Sequence, residues 1–196
     1  MPRTTLAVDS RLAESLSEIA KARRVTLYAL VNNLIENSIS LLREGVDIKS
    51  ISELWSVYKM MSQVEGVIVP GEIFDYLVAA LYETKADELK ERFRRLGYDI
   101  GTILKLYAGT PEELVKVGVT FLKYLPVKGI EYKNLGDNAY EIAIVGVGRR
   151  METTLCMNEF LHGLLEAYKV QVVNEEITQG FVRIRFINSS VENIAE

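Results

Sequence analysis

The chain has 196 residues, of which 48% are hydrophobic and 26% charged, a composition typical of a globular protein with a buried core. It has one cysteine and one histidine, which exclude an intrachain disulfide and argue against a metal site such as zinc. No apolar run is long enough for a membrane span and no signal-peptide core is present, so we expect a cytoplasmic protein without a membrane partner.

The net charge of −4 is spread unevenly along the chain. Residues 1–45 contain six Lys and Arg against five Asp and Glu, whereas the remainder contains 17 against 22. Because only the local field contacts a phosphate, an acidic chain can still bind DNA through one small basic face.

The first segment, RTTLAVDSRLAE over residues 3–14, changes its period in the middle. Polar and apolar residues alternate up to Val8, which predicts a strand, and helical spacing begins after Asp9 and Ser10. Ser10 is the expected N-cap. A lone strand cannot satisfy its backbone hydrogen bonds, and no second strand is predicted for more than about a hundred residues.

A second helix is predicted from the cap residue Thr26 to Gly45. Its apolar residues form a broad stripe that ends at Leu41 and Leu42. The turn before it, ARRVT, contains no glycine, so an arginine there must adopt an unusual backbone angle or the turn must differ. The order is therefore strand, helix, short turn, helix.

These residues, RTTLAVDSRLAESLSEIAKARRVTLYALVNNLIENSISLL, resemble a ribbon-helix-helix domain of the Arc/MetJ type. In that family the strand pairs with the same strand of a second subunit, and the ribbon enters the DNA major groove. The resemblance covers the whole length of such a domain and implies that the missing strand lies on another copy of the chain.

The resemblance implies a role for each position of this segment. The residues that would face base edges are Arg3, Thr5 and Ala7. Those that would form the dimer core are Thr4, Leu6 and Val8. The backbone N–H groups of Thr26, Leu27 and Tyr28 would bind phosphate at the helix start, with charge added by Arg23 and Arg24. A module that dimerises without binding DNA would have a similar sequence, and that alternative stays open.

Residues 46–66 are predicted to form a connecting helix with an apolar face. It contains Trp55, the single tryptophan, which we expect to be a core anchor in preference to a ligand-stacking residue.

The remaining residues predict an α+β domain, with helices packed on an antiparallel sheet of about four strands. Pro70 marks a helix entry, and Thr110 with Glu113 forms a capping box. The spacing of four between Gly97 and Gly101 predicts a close helix contact. It lies within an apolar seam that consists of Leu89, Phe93, Leu96, Ile100, Ile103 and Tyr107. Two hairpins are predicted, one turning at Gly136-Asp137-Asn138 and one at ITQG, with the strand AYEIAIV central.

Residues 67–188 resemble the 4-vinyl-reductase-type domain, which is related in fold to subunits of the TRAPP tethering complex. The matching stretches are VPGEIFDYLVAAL, RRLGYDIG, EELVKVG, EFLHGLLEAYKVQVVNEE and QGFVRIRF. The resemblance implies a dimerising domain that senses a small apolar ligand in a pocket between helices and sheet. Many members bind zinc through cysteines of the last hairpin, but NEEITQGFVRIRF has none, so no metal or other cofactor is expected.

Other polar residues favour ordinary structural roles. We expect His162 at the surface or an edge, Cys156 as a buried inert thiol, and Arg183 with Arg185 on a solvated strand face. The turn GVGRRMETT could hold an anion at a helix start, although its lone G-x-G lacks a nucleotide fingerprint. No catalytic constellation is present, so an enzyme is not expected.

We therefore predict a homodimeric, DNA-binding transcriptional regulator that reads double-stranded DNA with an intermolecular ribbon. The predicted organisation is a DNA-binding domain (1–45), a helical linker (46–66), a sensor or dimerisation domain (67–188) and a tail (189–196). The alternative is a dimeric scaffold or antitoxin-like protein without sequence-specific DNA binding.

Overall fold

The computed structural model describes residues 4–122 and 127–188, and the chain divides into two compact units, residues 1–55 and 56–196. In the described part the helices are α1 (Ser10–Ala22), α2 (Leu27–Arg43), α3 (Ile48–Gln63), α4 (Gly71–Leu104), α5 (Pro111–Leu122) and α6 (Met151–Ala167). The strands are β1 (Gly129–Gly136), β2 (Ala139–Val147), β3 (Val170–Thr178) and β4 (Gly180–Asn188). The α+β prediction is confirmed, whereas Arg3 and the predicted tail 189–196 lie outside the described residues.

Helices α1 and α2 of the first unit each begin at a side-chain cap. The Asp9 carboxylate accepts a hydrogen bond from the Arg11 N–H at 2.9 Å, so Asp9 and not Ser10 is the N-cap of α1. The prediction of Ser10 was wrong by one residue, because Asp and Ser cap equally well and stand side by side. The Thr26 hydroxyl accepts from the Ala29 N–H at 3.1 Å, which confirms the predicted cap of α2.

The turn between α1 and α2 has the geometry that ends helices at a glycine, but an arginine holds the key position. Arg24 has a φ of 56°, in the left-handed region. The Val25 N–H donates to the Ala20 carbonyl at 3.0 Å and the Arg24 N–H to that of Lys21 at 3.1 Å. These two bonds form a Schellman motif, so Arg24 adopts the unusual angle that the sequence required.

The second unit contains one antiparallel sheet with the strand order β1-β2-β4-β3. Strand β2 lies between β1 and β4, as predicted from its two apolar faces. Asp137 and Asn138 both have positive φ, which identifies a two-residue type I′ hairpin turn between β1 and β2. The predicted turn is therefore confirmed.

Helices cover one face of this sheet. Val115 of α5 and Leu165 of α6 pack against a core whose strand residues are Tyr140, Val182, Ile184 and Phe186. A second cluster, formed by Leu104, Leu114, Ala167 and Tyr168, joins α4 and α5 to the end of α6. The start of α5 is capped by the predicted capping box: the Thr110 hydroxyl accepts from the Glu113 N–H, and the Glu113 carboxylate accepts from the Thr110 N–H.

Helices α4 and α6 meet backbone to backbone through three glycines. A Cβ atom at Gly97 would lie 2.0 Å from the Phe160 carbonyl oxygen, and one at Gly163 would lie 1.9 Å from that of Arg94. A Cβ at Gly101 would lie 2.7 Å from the Ala167 methyl. The close approach predicted from the spacing of Gly97 and Gly101 is confirmed.

The apolar seam predicted for this helix was partly wrong. Leu96 and Tyr107 are exposed, whereas Gly97, Gly101 and Leu104 are buried. The contact of α4 with α6 is centred on small residues. The buried residues Gly97, Gly101 and Leu104 therefore each follow directly after a member of the predicted seam. The helix is also interrupted at Lys85, whose φ of −140° and ψ of 39° divide α4 into two helical segments.

Candidate nucleic-acid interface

Residues 4–9 precede α1 without secondary structure in the single chain. The predicted strand is not formed, because the segment has no partner backbone to pair with in one copy. Leu6 is 65% exposed and Val8 is 53% exposed, and the alternate residues Thr5 and Ala7 are exposed as well. Of the residues expected to form the dimer core or to face base edges, those from Thr4 to Val8 therefore lie on one accessible segment, and Arg3 lies outside the described residues.

The start of α2 combines a helix N-terminus with a basic turn. The N–H groups of the first helical residues, beginning with Leu27 and Tyr28, point outward along the axis. Arg23 and Arg24 precede them and are exposed, and within the described residues neither forms an ion pair. A helix start flanked by positive charge can bind a phosphate group.

Most apolar side chains of the first unit remain uncovered in the single chain. Among the described residues 4–55, Ala20 and Leu30 are the hydrophobic residues that are fully buried. Exposed apolar residues on α1 and α2 include Leu12, Ile19, Leu27, Leu34, Ile35, Ile39 and Leu42. So small a core leaves most of the apolar surface of this unit exposed to solvent in the single chain.

Trp55 is 55% exposed, so the prediction that it is a core anchor was wrong for the single chain. Its neighbours Leu54 and Tyr58 on α3 are exposed as well, so this apolar face of α3 lies at the surface.

In the second unit, the turn between β2 and α6 binds a carboxylate of the chain itself. The buried carboxylate of Asp75 on α4 accepts the Arg149 N–H with its two oxygens at 3.2 and 3.1 Å. The Gln179 side chain holds the same turn by donating to the Arg149 carbonyl at 2.7 Å. The predicted anion position in GVGRRMETT is therefore occupied by Asp75, a residue whose only sequence signal is its place in the apolar stripe IFDYLVAAL.

A second charge cluster lies on the sheet face opposite the helices, where Arg183 and Arg185 were expected, and its acidic member was not predicted. Glu141 is buried there and accepts a hydrogen bond from the Arg185 guanidinium at 2.6 Å. That bond lowers the pKa of Glu141 despite burial, and Arg183 and Lys133 lower it further. The sequence signal was a single acidic residue in the strand AYEIAIV, in register with Arg185 of β4.

On α6, His162 is hydrogen-bonded to a residue of β3, and Cys156 is buried. The His162 Nε2 lies 2.7 Å from a Glu175 oxygen that Asn158 also contacts, which places His162 at the edge of the sheet as expected. Burial opposes ionisation of Glu175, but the hydrogen bonds from His162 and Asn158 lower its pKa overall. Cys156 is buried, and desolvation raises its pKa to about 11. This supports an inert thiol.

Two surface depressions are described in the second unit. One, of about 320 Å³, is lined by Glu72, Ile73, Asp75, Tyr76, Arg149 and Arg150. The other, of about 450 Å³, is lined by residues of α4, α6 and β3 and of the turn between α6 and β3, namely Arg94, His162, Leu165, Glu166, Lys169, Val170, Gln171 and Val172. Both depressions combine charged and apolar side chains, and the apolar ligand pocket that the resemblance implies stays a prediction.

Over the described ranges, no helix is both long and apolar enough to cross a membrane, and no three metal-ligating side chains converge. Comparison of the chain with known protein families, curated proteins and solved structures finds no match. The resemblances to known domains therefore rest on the residues themselves.

Proposed function

We propose that the protein is a homodimeric DNA-binding regulator whose first unit is a ribbon-helix-helix domain. The observation that carries the proposal is the exposed segment 4–9, which leads through a side-chain cap into two short helices with little buried core. Pairing of this segment with its copy would satisfy its backbone hydrogen bonds and cover Leu6 and Val8. Thr5 and Ala7 would then face the major groove.

The basic turn gives the same surface a means of binding phosphate. Arg23, Arg24 and the α2 N-terminus would contact the backbone on either side of the ribbon, which positions the ribbon without reading sequence. Since Ala7 can make only an apolar contact, few polar side chains read bases, and specificity would depend on paired half-sites.

Selection of bound fragments from a random DNA library, followed by mobility shifts, tests the proposal. We expect a pseudo-palindromic site. Thr5→Ala should weaken its binding by about 1–3 kcal/mol and relax selectivity at one position in each half-site. Arg23→Ala should instead weaken all sequences alike and reduce the salt dependence.

Thr4→Ala is the matched control, because residue 4 lies on the alternate side of the extended segment. It should leave base selectivity unchanged. Equal effects of Thr4→Ala and Thr5→Ala on selectivity would exclude readout by the ribbon.

A dimeric scaffold or antitoxin-like protein is the second candidate, and the exposed apolar residues of α1 and α2 favour it equally. A stable dimer that selects no DNA sequence at low salt would support this candidate and exclude the first. The small apolar ligand that the resemblance implies for the second unit stays a prediction.

A further inference from the structure

An apolar surface that begins at residue 67 of the second unit is exposed among the described residues. Its first part is the run Val67, Ile68 and Val69, of which Ile68 is 98% exposed. Its second part is a stripe on α4 made of Ile73, Tyr76, Leu77 and Leu81. Only Pro70 separates Val69 from the start of the helix, so the two parts follow one another directly. We call these seven residues the α4 surface.

The α4 surface is distinct from the face of α4 that packs inside the unit. Asp75, Val78 and Ala79 are buried on that inner face. Between Ile73 and Leu81 the sole charged residue is Asp75, and its carboxylate is bound to the Arg149 N–H. The outer stripe itself therefore carries no charged side chain, and the charged groups Glu72, Arg149 and Arg150 lie at its border, around the depression that Ile73 and Tyr76 also line.

The extent of the α4 surface matches one side of a protein interface. From the exposed fractions, its residues present on the order of 800 Å², close to the ~800 Å² that each partner buries in a standard interface. Surface patches on monomers are usually smaller, at about 300–600 Å². Three consecutive exposed aliphatic residues are also unusual unless they serve a contact.

The spacing of the stripe makes it complementary to itself. Ile73, Leu77 and Leu81 are four residues apart and form one ridge along the helix. Beside it runs a second exposed row, Tyr76, Ala80 and Thr84, and small Ala80 leaves a notch at its centre. A two-fold axis through Leu77 would place Ile73 of one copy against Leu81 of the other, apolar on apolar.

We propose that the α4 surface is a homodimer interface, covered by the same surface of a second copy of this chain. This interface goes beyond the ribbon and does not require DNA binding. Where the ribbon also joins two copies, it raises the effective concentration of the α4 surfaces for each other.

Cross-linking of the full chain tests the interface. Leu77→Cys introduces a thiol beside the two-fold axis, and native Cys156 does not compete because it is fully buried. Oxidation or a short bis-maleimide should convert most of the protein to a covalent dimer of about 44 kDa, twice the 22.1 kDa of one chain. Leu135→Cys on β1 is the matched control, since Leu77 and Leu135 are each 50% exposed.

The same experiment in a Leu6→Glu background separates this interface from the proposed ribbon. We expect Leu6→Glu to abolish DNA binding. In that background the Leu77→Cys variant should still cross-link at least about fivefold faster than the Leu135→Cys variant. Adding Leu81→Glu should remove that advantage. Equal cross-linking of the two cysteine variants in both backgrounds would overturn the interface, whatever the outcome for DNA.

Discussion

Arg24 occupies a backbone conformation that glycine adopts at far lower cost. Its φ of 56° lies in the left-handed region, and both bonds of the Schellman motif depend on that angle. A residue with a Cβ pays about 1 kcal/mol or more there. That an arginine holds this position next to the α2 N-terminus fits a role for its charge that offsets the strain.

Arg24→Gly should therefore stabilise the first unit while weakening DNA binding. Relative to Arg24→Ala, which also removes the charge but keeps the Cβ, we expect about 1 kcal/mol of added stability. Urea denaturation at one fixed protein concentration measures the difference. Equal stability of the two variants would contradict the assignment of strain at this residue.

Glu141 makes the stability of the second unit sensitive to acid. Its pKa is lowered from 4.5 by the Arg185 hydrogen bond, so the folded state favours the ionised carboxylate. The resulting stability is present above the unfolded pKa and is lost as the pH falls through the lower folded value. We expect Glu141→Gln to be less stable at pH 7 and to lose less stability than the native chain between pH 5 and pH 3.

Glu131→Gln is the control for this acid effect, because Glu131 lies on the same face of the sheet but is mostly exposed. Its urea midpoint should follow that of the native chain across the whole pH range. The same acid dependence in Glu141→Gln as in the native chain would show that the pair of Glu141 and Arg185 contributes nothing to this effect.

At the scale of elements, the contact between α4 and α6 depends on the absence of side chains. The backbones approach too closely at Gly97 and Gly163 for any Cβ. Each glycine costs helix propensity, and the packing around it compensates for that cost.

Gly97→Ala and Gly163→Ala should each destabilise the unit by about 1–3 kcal/mol or more, because the added methyl would meet a backbone carbonyl that cannot move aside. Gly118→Ala in α5 is the matched control. A Cβ at residue 118 meets nothing within 4 Å, so that variant should gain up to about 1 kcal/mol from helix propensity. Calorimetric melting temperatures should fall for Gly97→Ala and Gly163→Ala and rise for Gly118→Ala. An unchanged melting temperature of Gly97→Ala would rule out the backbone contact.

Local signals in the sequence located most elements of the fold. The Thr26 cap, the Thr110 capping box and the Asp137-Asn138 turn each depend on residues that are close in sequence. Such structures can therefore be predicted from short sequence patterns. The partners of Asp75 and Glu141 lie 74 and 44 residues away, and no local pattern predicts such pairings. For the candidate site, the sequence predicted the turn that contains Arg23 and Arg24, and this turn is formed. It also predicted a strand before α1, but residues 4–9 have no secondary structure in the single chain, and a ribbon would require a second chain.

For the whole molecule, exposed apolar surface in both units predicts association. Unfolding of a dimer should depend on protein concentration, with tenfold dilution costing about 1.4 kcal/mol of stability per mole of dimer. We expect thermal midpoints to rise with concentration and sedimentation to give a mass of about 44 kDa, twice that of one chain. A concentration-independent midpoint with a mass of 22.1 kDa would contradict both proposed interfaces.

The glycine contact also sets an order of events during synthesis. Helix α4 leaves the ribosome before α6, and about 60 residues, roughly 3–12 s of translation, separate the two sides of the contact. Through that interval the glycine face of α4 and its outer apolar stripe are both open. The nascent chain is therefore most exposed to misassembly after α4 has emerged, and this is the stage at which a ribosome-associated chaperone would protect it best.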